Sequence, residues 1–225
     1  MPPSIRPACV GGYDGLTTTT AELADFVETF AERIHAAREM LTELDSAIGD
    51  ADHGINMDRG FTAVVAELPR LRETDAGTLF KDSGMKLIST VGGASGPLYG
   101  TFFLRLGGAL VGKTEVTMPE LAAGFRAGYG GVVARGKAEL GDKTMVDAMA
   151  PAVEALEANA EADPGVALAA AADAAAKGRD ATIPLVARKG RASYLGERSA
   201  GHQDPGATST TILFESLRDA LGKGK

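Results

Sequence analysis

The sequence predicts an all-α protein, and three observations carry that prediction. An apolar seam at Leu23, Val27, Phe30, Ile34, Ala37, Leu41 and Leu44, spaced 4, 3, 4, 3, 4 and 3, has the period of a helix with one narrow buried face. Helix-start chemistry recurs along the chain: Thr19 with Glu22, Ser95 before Pro97, Thr117 with Pro119 and Glu120, Asp163 before Pro164, and Asp204 before Pro205. Strand signals are nearly absent, because the main β-branched run, Thr208 to Ile212, sits behind a helix cap.

The 225 residues suffice for one large domain or two small ones with a sizeable core. Twenty-three Lys plus Arg against 30 Asp plus Glu give a net charge of −7, which argues against a broad nucleic-acid surface. A single cysteine, Cys9, excludes an internal disulfide framework. There is no basic segment followed by an apolar stretch at the N-terminus and no apolar run of about 18 residues. A cytoplasmic protein without a membrane partner is expected.

Residues 1–18 carry three prolines, three glycines and no helical period, so they read as a flexible arm, with one domain over 19–225. The first helix follows from the Thr19–Glu22 capping box. Its seam lasts about three heptads and has no long counterpart, which favours a bundle helix over a coiled coil. Further helical stretches are expected at about 55–71, 77–90, 97–111, 119–138, 144–160, 164–190 and 206–221, giving roughly eight helices. Pro184 should kink or end the sixth of these. The Ala-rich residues 152–177 read as close-packed helix without chemistry.

Polar residues of interest gather in the junctions 45–56, 92–96, 141–145 and 189–206. Alternate junctions of an up-and-down bundle share one end, so these loops can build one site. Asp45, Asp50 and Asp52 lie within eight positions at a helix C-terminus, where unpaired carbonyls already make the field negative. Like charges at about 4 Å repel by about 4 kcal/mol per pair at an effective dielectric near 20, so a cation is needed unless the loop is merely solvated. Counting from Asp50, the fifth, sixth and twelfth positions of an EF-hand would be Gly54, Ile55 and Phe61, which excludes that calcium motif. Zinc is disfavoured by a chain whose histidines are only His35, His53 and His202. Oxygen-only ligation favours Mg²⁺, which commonly shares substrate phosphates.

Two glycine-bearing helix starts, HGIN at 53–56 and VGGASGPLYG at 91–100, offer free N–H groups to such a phosphate. GGALVGKT at 107–114 satisfies the P-loop pattern in full, yet a new capping box at Thr117 falls where the P-loop helix should continue; the match is read as chance. Arg188, Lys189, Arg191 and Arg198 supply positive charge beside the helix start at Asp204, Pro205 and Gly206. Arg191 is read as a phosphate contact, whereas a salt bridge with Glu197 or Asp180 is the alternative for Arg198. His202 and Tyr194 fit packing roles equally well.

Together AIGDADHGINMDRG, GGASGPLYGTFF, GDKTMVDAMAP and ARKGRASYLGERSAGHQDPGATS resemble the DhaL family, the nucleotide-binding subunits of dihydroxyacetone kinase, from about residue 20 to 221. The resemblance implies a closed barrel of eight antiparallel helices with ADP or ATP and two Mg²⁺ ions at one end. It implies Asp45, Asp50 and Asp52 as metal ligands and His53, Gly54, Ile55, Asn56, Ala94 and Ser95 as phosphate-contacting loops. Gly136 and Met145 would line the adenine, and Arg191, Asp204, Pro205 and Gly206 would complete the nucleotide site. It further implies a DhaK subunit holding dihydroxyacetone and a phosphohistidine donor, DhaM, that recharges bound ADP. Phosphoryl transfer of this kind asks mainly for positioning and charge neutralisation, so no nucleophilic side chain is assigned. Two alternatives stay open: an ATP-exchanging kinase subunit for dihydroxyacetone or another short ketose such as erythrulose, and a module reporting nucleotide state to a transcription regulator.

Overall fold

Side-chain caps set where most of the helices begin. In a computed structural model, which describes residues 17–222, the chain runs β1 (Thr17–Thr19), α1 (Thr20–Ala36), α2 (Arg38–Ile48), α3 (His53–Val65), α4 (Leu68–Leu71), α5 (Ala76–Thr90) and α6 (Ser95–Ala109). It continues through β2 (Glu115–Thr117), α7 (Met118–Gly136), α8 (Met145–Ala158), α9 (Pro164–Ala181), a 3-10 segment at Arg191–Ser199 and α10 (Pro205–Leu221). Capping boxes at Thr19, Thr117 and Thr144 open α1, α7 and α8, while Asp75, Asp163 and Asp204 cap α5, α9 and α10. The fold is helical, as expected. The flexible-arm expectation for residues 1–16 lies outside the described residues; Thr17 and Thr18 belong to β1, which pairs antiparallel with β2.

Three helix boundaries differ from the sequence expectation, each for a local reason. The long first helix breaks at Ala37, and α2 then buries Leu41, Asp45 and Ile48 instead of continuing the seam to Leu44. That re-aiming turns a carboxylate inward. The stretch expected at 55–71 ends at Val65 because Pro69, in the first turn of α4, has no N–H to return to the Val65 carbonyl. The stretch expected to reach 190 stops at Ala181, just ahead of Pro184, whose ring disfavours helix at the residue before it. Pro151, by contrast, is accommodated inside α8.

The helices pack in sequence order: α1 on α3, α3 on α5, α5 on α6, and onward through α7, α8 and α9 to α10, which returns to α1. All eight phenylalanines of the chain are buried between them, each at 0 % exposure, and Tyr99 at 1 % joins them. Phe30 and Phe61 meet edge-on at 4.6 Å, and Phe125 links Phe102 at 5.4 Å to Phe214 at 5.5 Å. Each such side chain contributes about 1.5–3 kcal/mol by burial. The Ala-rich α9 lies close against α8: a Cβ on Gly178 would come within 2.2 Å of the Asp147 carbonyl oxygen.

Hydrogen bonds at the ends fix the helix directions. The Thr20 and Ala76 amides, at the starts of α1 and α5, donate to Thr114 and Lys113 just beyond the end of α6. The starts of α1, α5 and α7 therefore share the β1–β2 end of the molecule. The starts of α3, α6, α8 and α10 line a cleft at the opposite end. Among the described residues no helix is long and apolar enough to cross a membrane.

Candidate functional site

The cleft is built from the four polar junctions singled out in the sequence. Asp45, Asp50 and Asp52 stand on one rim, and one carboxylate oxygen from each lies within 4.8 Å of the others. Asp45, only 8 % exposed, does two jobs. Its Oδ2 accepts the backbone N–H groups of Asp52 at 2.8 Å and His53 at 3.1 Å, so the last turn of α2 caps the first turn of α3. Asp52, the residue at the N-cap position, makes no side-chain cap of its own. Gly49 permits this arrangement, because any Cβ there would fall 2.0 Å from Asp45 Oδ1. Between Asp50 and Asp52 the chain turns through Ala51 at φ 60, a left-handed conformation that a non-glycine residue rarely adopts.

Part of the compensating charge is already present: Arg191 Nε pairs with Asp50 Oδ2 at 2.7 Å. One guanidinium against three carboxylates leaves a negative, oxygen-only donor set. Donors of this kind are the ones a hard divalent cation of the magnesium type takes.

His53 is 7 % exposed and anchored on both ring nitrogens, Nδ1 to Ser95 Oγ and Nε2 to Ser209 Oγ, each at 2.9 Å. Ser209 in turn meets the Tyr99 hydroxyl at 2.8 Å. Burial lowers the imidazole pKa to about 4 even though the Asp45 and Asp52 charges work in the other direction, so the ring is neutral near pH 7. Burial likewise pushes the Tyr99 phenol up to about 12. Hydroxyls on both sides satisfy either neutral tautomer. The network thus ties α3, α6 and α10 together where their N-termini converge. Ser95 is the first residue of α6 and its hydroxyl goes to His53; it does not cap a helix starting at Pro97 as expected.

The opposite wall comes from α8 and α10. Met145 opens α8 and lies beside Gly206, where a Cβ would come within 3.4 Å of the Met145 Cβ, and Asp204 and Pro205 continue the same wall. Asp204 Oδ2 accepts the Ala207 N–H at 2.7 Å, and burial raises its carboxyl to about 7, with the Asp147 charge adding to the rise and Lys143 opposing it.

Most of the sequence-predicted residues therefore meet: Asp45, Asp50, Asp52, His53, Ala94, Ser95, Met145, Arg191, Asp204, Pro205 and Gly206 all line this cleft. Four do not line it. Ile55 is 45 % exposed on the outer side of α3, beside Ala51. Asn56 is buried and accepts Arg59 Nη2 through Oδ1 at 2.7 Å. Gly54 presses on α2, where a Cβ would meet Arg38 O at 2.0 Å, and Gly136 lies behind Leu98. His202 is exposed and Tyr194 is 86 % exposed, so neither has the packing role considered for it. Asp180 pairs with its neighbour Arg179, not with Arg198.

Sequence reasoning missed Lys143 and Tyr99 as cleft residues, whereas Gly93 lies in a glycine loop it had singled out. Gly93, at φ 66, passes close to the Asp52 carboxylate, and Tyr99 sat unremarked inside the quoted glycine loop. Lys143 had no signal beyond its place in a polar junction. The P-loop pattern, in contrast, runs from the last turn of α6 to the residue before β2, with α6 rather than a strand ahead of it and no helix beginning at Lys113.

The DAK2 domain family model matches residues 47–219. The ADP-binding subunit DhaL of the PEP-dependent dihydroxyacetone kinase of Escherichia coli (strain K12) is 48 % identical over 204 residues, covering 90 % of this chain and 97 % of that protein. The corresponding subunit of dihydroxyacetone kinase 2 from Listeria innocua is 46 % identical over 211 residues, covering 92 % and 98 %. Among solved structures, the dihydroxyacetone kinase of C. freundii in complex with AMP-PNP and Mg²⁺ superposes with a TM-score of 0.67 at 26 % identity, over 97 % of this chain. The chain spans about 37 % of the length of that kinase.

Proposed function

Because the chain belongs to the DAK2 domain family and is similar along nearly its whole length to DhaL subunits, we propose that it is the ADP-binding subunit of a phosphoenolpyruvate-dependent dihydroxyacetone kinase. The observation that carries this reading is the juxtaposition in one cleft of three convergent carboxylates and the starts of α3, α6 and α10. Carboxylates alone would bind a cation, and helix starts alone an anion. Both facing one space fit a metal–diphosphate.

On this reading Asp45, Asp50 and Asp52 hold two Mg²⁺ ions, which when bound neutralise charge on the nucleotide phosphates. The start of α3 at His53, Gly54, Ile55 and Asn56, where the His53 and Asn56 N–H groups donate to Asp45 and Asp52, and the start of α6 at Ala94 and Ser95 turn their positive ends to those phosphates. Neutral His53 fixes Ser95 in place without adding charge. Leu98 and Met145 give the base an apolar wall with Gly136 behind it, and Pro205 and Gly206 continue that wall beside Met145. Arg191 brings a cation to the same rim. No side chain need become covalently modified: the bound diphosphate accepts a phosphoryl group from a DhaM-type phosphohistidine donor and passes it to dihydroxyacetone on a DhaK-type subunit, in the cytoplasm.

An ATP-exchanging subunit is the second reading, favoured by the AMP-PNP in the C. freundii kinase. To separate the two, the protein is purified without added nucleotide and denatured, and released ADP and ATP are quantified by chromatography. Near-stoichiometric ADP supports a retained cofactor. An empty protein that binds Mg²⁺-ATP reversibly favours exchange, and binding of neither overturns the site. In a reconstituted assay the protein carrying Asp45→Ala, Asp50→Ala and Asp52→Ala is expected to lose phosphoryl transfer; retained transfer sinks the metal assignment.

A further inference from the structure

Lys143 is a charged side chain at 1 % exposure; among the described residues no carboxylate forms an ion pair with it, although the Asp204 charge acts on it. Its ammonium instead meets four backbone carbonyls: His202 at 2.5 Å, Thr182 at 2.9 Å, Leu185 at 3.0 Å and Ile183 at 3.3 Å. Three N–H donors serve four acceptors, so Ile183, the longest, shares a donor; its carbonyl also accepts the Gly201 N–H at 2.8 Å. The residue itself adopts φ 62, a left-handed backbone, two residues before α8 begins.

These carbonyls belong to two separate loops. One follows α9, where Pro184 ends helical pairing and leaves carbonyls free. The other precedes α10. Thr182 joins them a second time: its Oγ1 accepts the backbone N–H of Asp204 at 3.1 Å while its carbonyl holds Lys143. A continuous chain thus runs from Lys143 through Thr182 to the residue that caps α10, and Met145 and Asp204 to Gly206 at its ends line the cleft.

We infer that Lys143 is a positioning residue for nucleotide binding: its ammonium, held in a cage of carbonyls, fixes the α8 and α10 starts relative to each other and so sets the width of the cleft wall opposite the three aspartates. This rests on the nucleotide-site reading above. A merely local structural role would cost stability alone. A positioning role costs nucleotide affinity and leaves the aspartate rim untouched, because no hydrogen bond of the cage reaches Asp45, Asp50 or Asp52.

The test compares Mg²⁺-ADP affinity by calorimetry for the nucleotide-free wild-type chain, Lys143→Met and Thr182→Val. Lys143→Met keeps the stem and removes the charge; Thr182→Val keeps the carbonyl and removes the link to Asp204 together with the hydroxyl's bond to the Arg179 carbonyl at 2.6 Å. Lys143→Met is expected to bind Mg²⁺-ADP at least tenfold more weakly while binding Mn²⁺ without nucleotide as the wild type does, and Thr182→Val to weaken binding several-fold. Propylammonium, which restores the missing stem and charge, is expected to recover affinity in Lys143→Ala, where tetramethylammonium at equal ionic strength does not. ADP affinity within twofold of wild type in both Lys143→Met and Thr182→Val overturns the inference, as does equal loss of Mn²⁺ binding. If Lys143→Met fails to fold, Thr182→Val decides. A wild-type chain that binds no Mg²⁺-ADP would instead overturn the nucleotide-site reading itself.

Discussion

Asp204 combines the two demands on a residue at this cleft, capping a helix and facing the site. Its folded-state pKa of about 7 lies above the ordinary carboxyl value of 3.8, chiefly because burial penalises the anion. The folded protein therefore holds this proton more tightly than the unfolded chain. The resulting stabilisation is complete below about pH 3.8 and is lost as pH rises through about 7. Asp204→Asn keeps the acceptor for the Ala207 amide and abolishes the titration. At pH 8 the variant is expected to be more stable than wild type by up to about 4 kcal/mol, the ceiling set by about three pH units at about 1.4 kcal/mol each. The advantage should shrink towards pH 4. Urea denaturation at several pH values checks this, and a difference that does not change with pH would mean that Asp204 titrates as an ordinary carboxylate. Asp45 shows the limit of reading such residues from sequence. Its carboxylate marked it as a ligand, but nothing in the spacing showed that it also caps α3, because the two partners meet only after α2 and α3 have folded back on each other.

At the scale of elements, capping chemistry was legible because it is local: Thr19, Thr117, Asp163 and Asp204 each bind an amide two or three residues on. Breaks were less legible where tertiary packing decides them. Ala37 is an excellent helix former, yet the chain bends there because Leu41, Asp45 and Ile48 must face the core. The P-loop pattern makes the converse point, since a motif has meaning only on the elements that carry it. Lys113 follows α6 and pairs through Nζ with Glu120 Oε1 at 2.7 Å, at the end of the molecule away from the cleft. Both side chains of that pair are more than a third exposed, so it contributes about 0–1 kcal/mol. Lys113→Met is accordingly expected to change stability by less than about 1 kcal/mol and to leave Mg²⁺-ADP affinity within about twofold of wild type. A tenfold loss of affinity would move the phosphate site to residues 107–114.

For the whole molecule, alternating helix direction gathers into one place groups that lie up to 161 positions apart in sequence, from Asp45 to Gly206. The sequence revealed the junctions but not the side-chain chain through Lys143 and Thr182 that braces them, because that depends on carbonyls left free by irregular backbone. The assembly reconciles a net charge of −7 with an anionic ligand. Each helix start presents about half a positive charge: that of α3 is met by Asp45 on the same rim, which leaves those of α6, α8 and α10 at the cleft beside the carboxylates. A joint metal–nucleotide site would differ from two independent ones in that each ligand needs the other. At a concentration about 100 times its dissociation constant, a ligand that binds only the folded state adds about 2.7 kcal/mol. For a chain of this size that corresponds to a rise in Tm of roughly 5–10 °C. ADP with Mg²⁺ is expected to give this shift, ADP with EDTA almost none, and Mg²⁺ alone a small one. Replacing all three aspartates by asparagine should abolish the shift yet raise the Tm of the empty protein, because the mutual repulsion of the carboxylates disappears with them. An undiminished shift from ADP in EDTA would show that the phosphates are held by helix starts and Arg191 alone, and that the aspartates answer to some other cation.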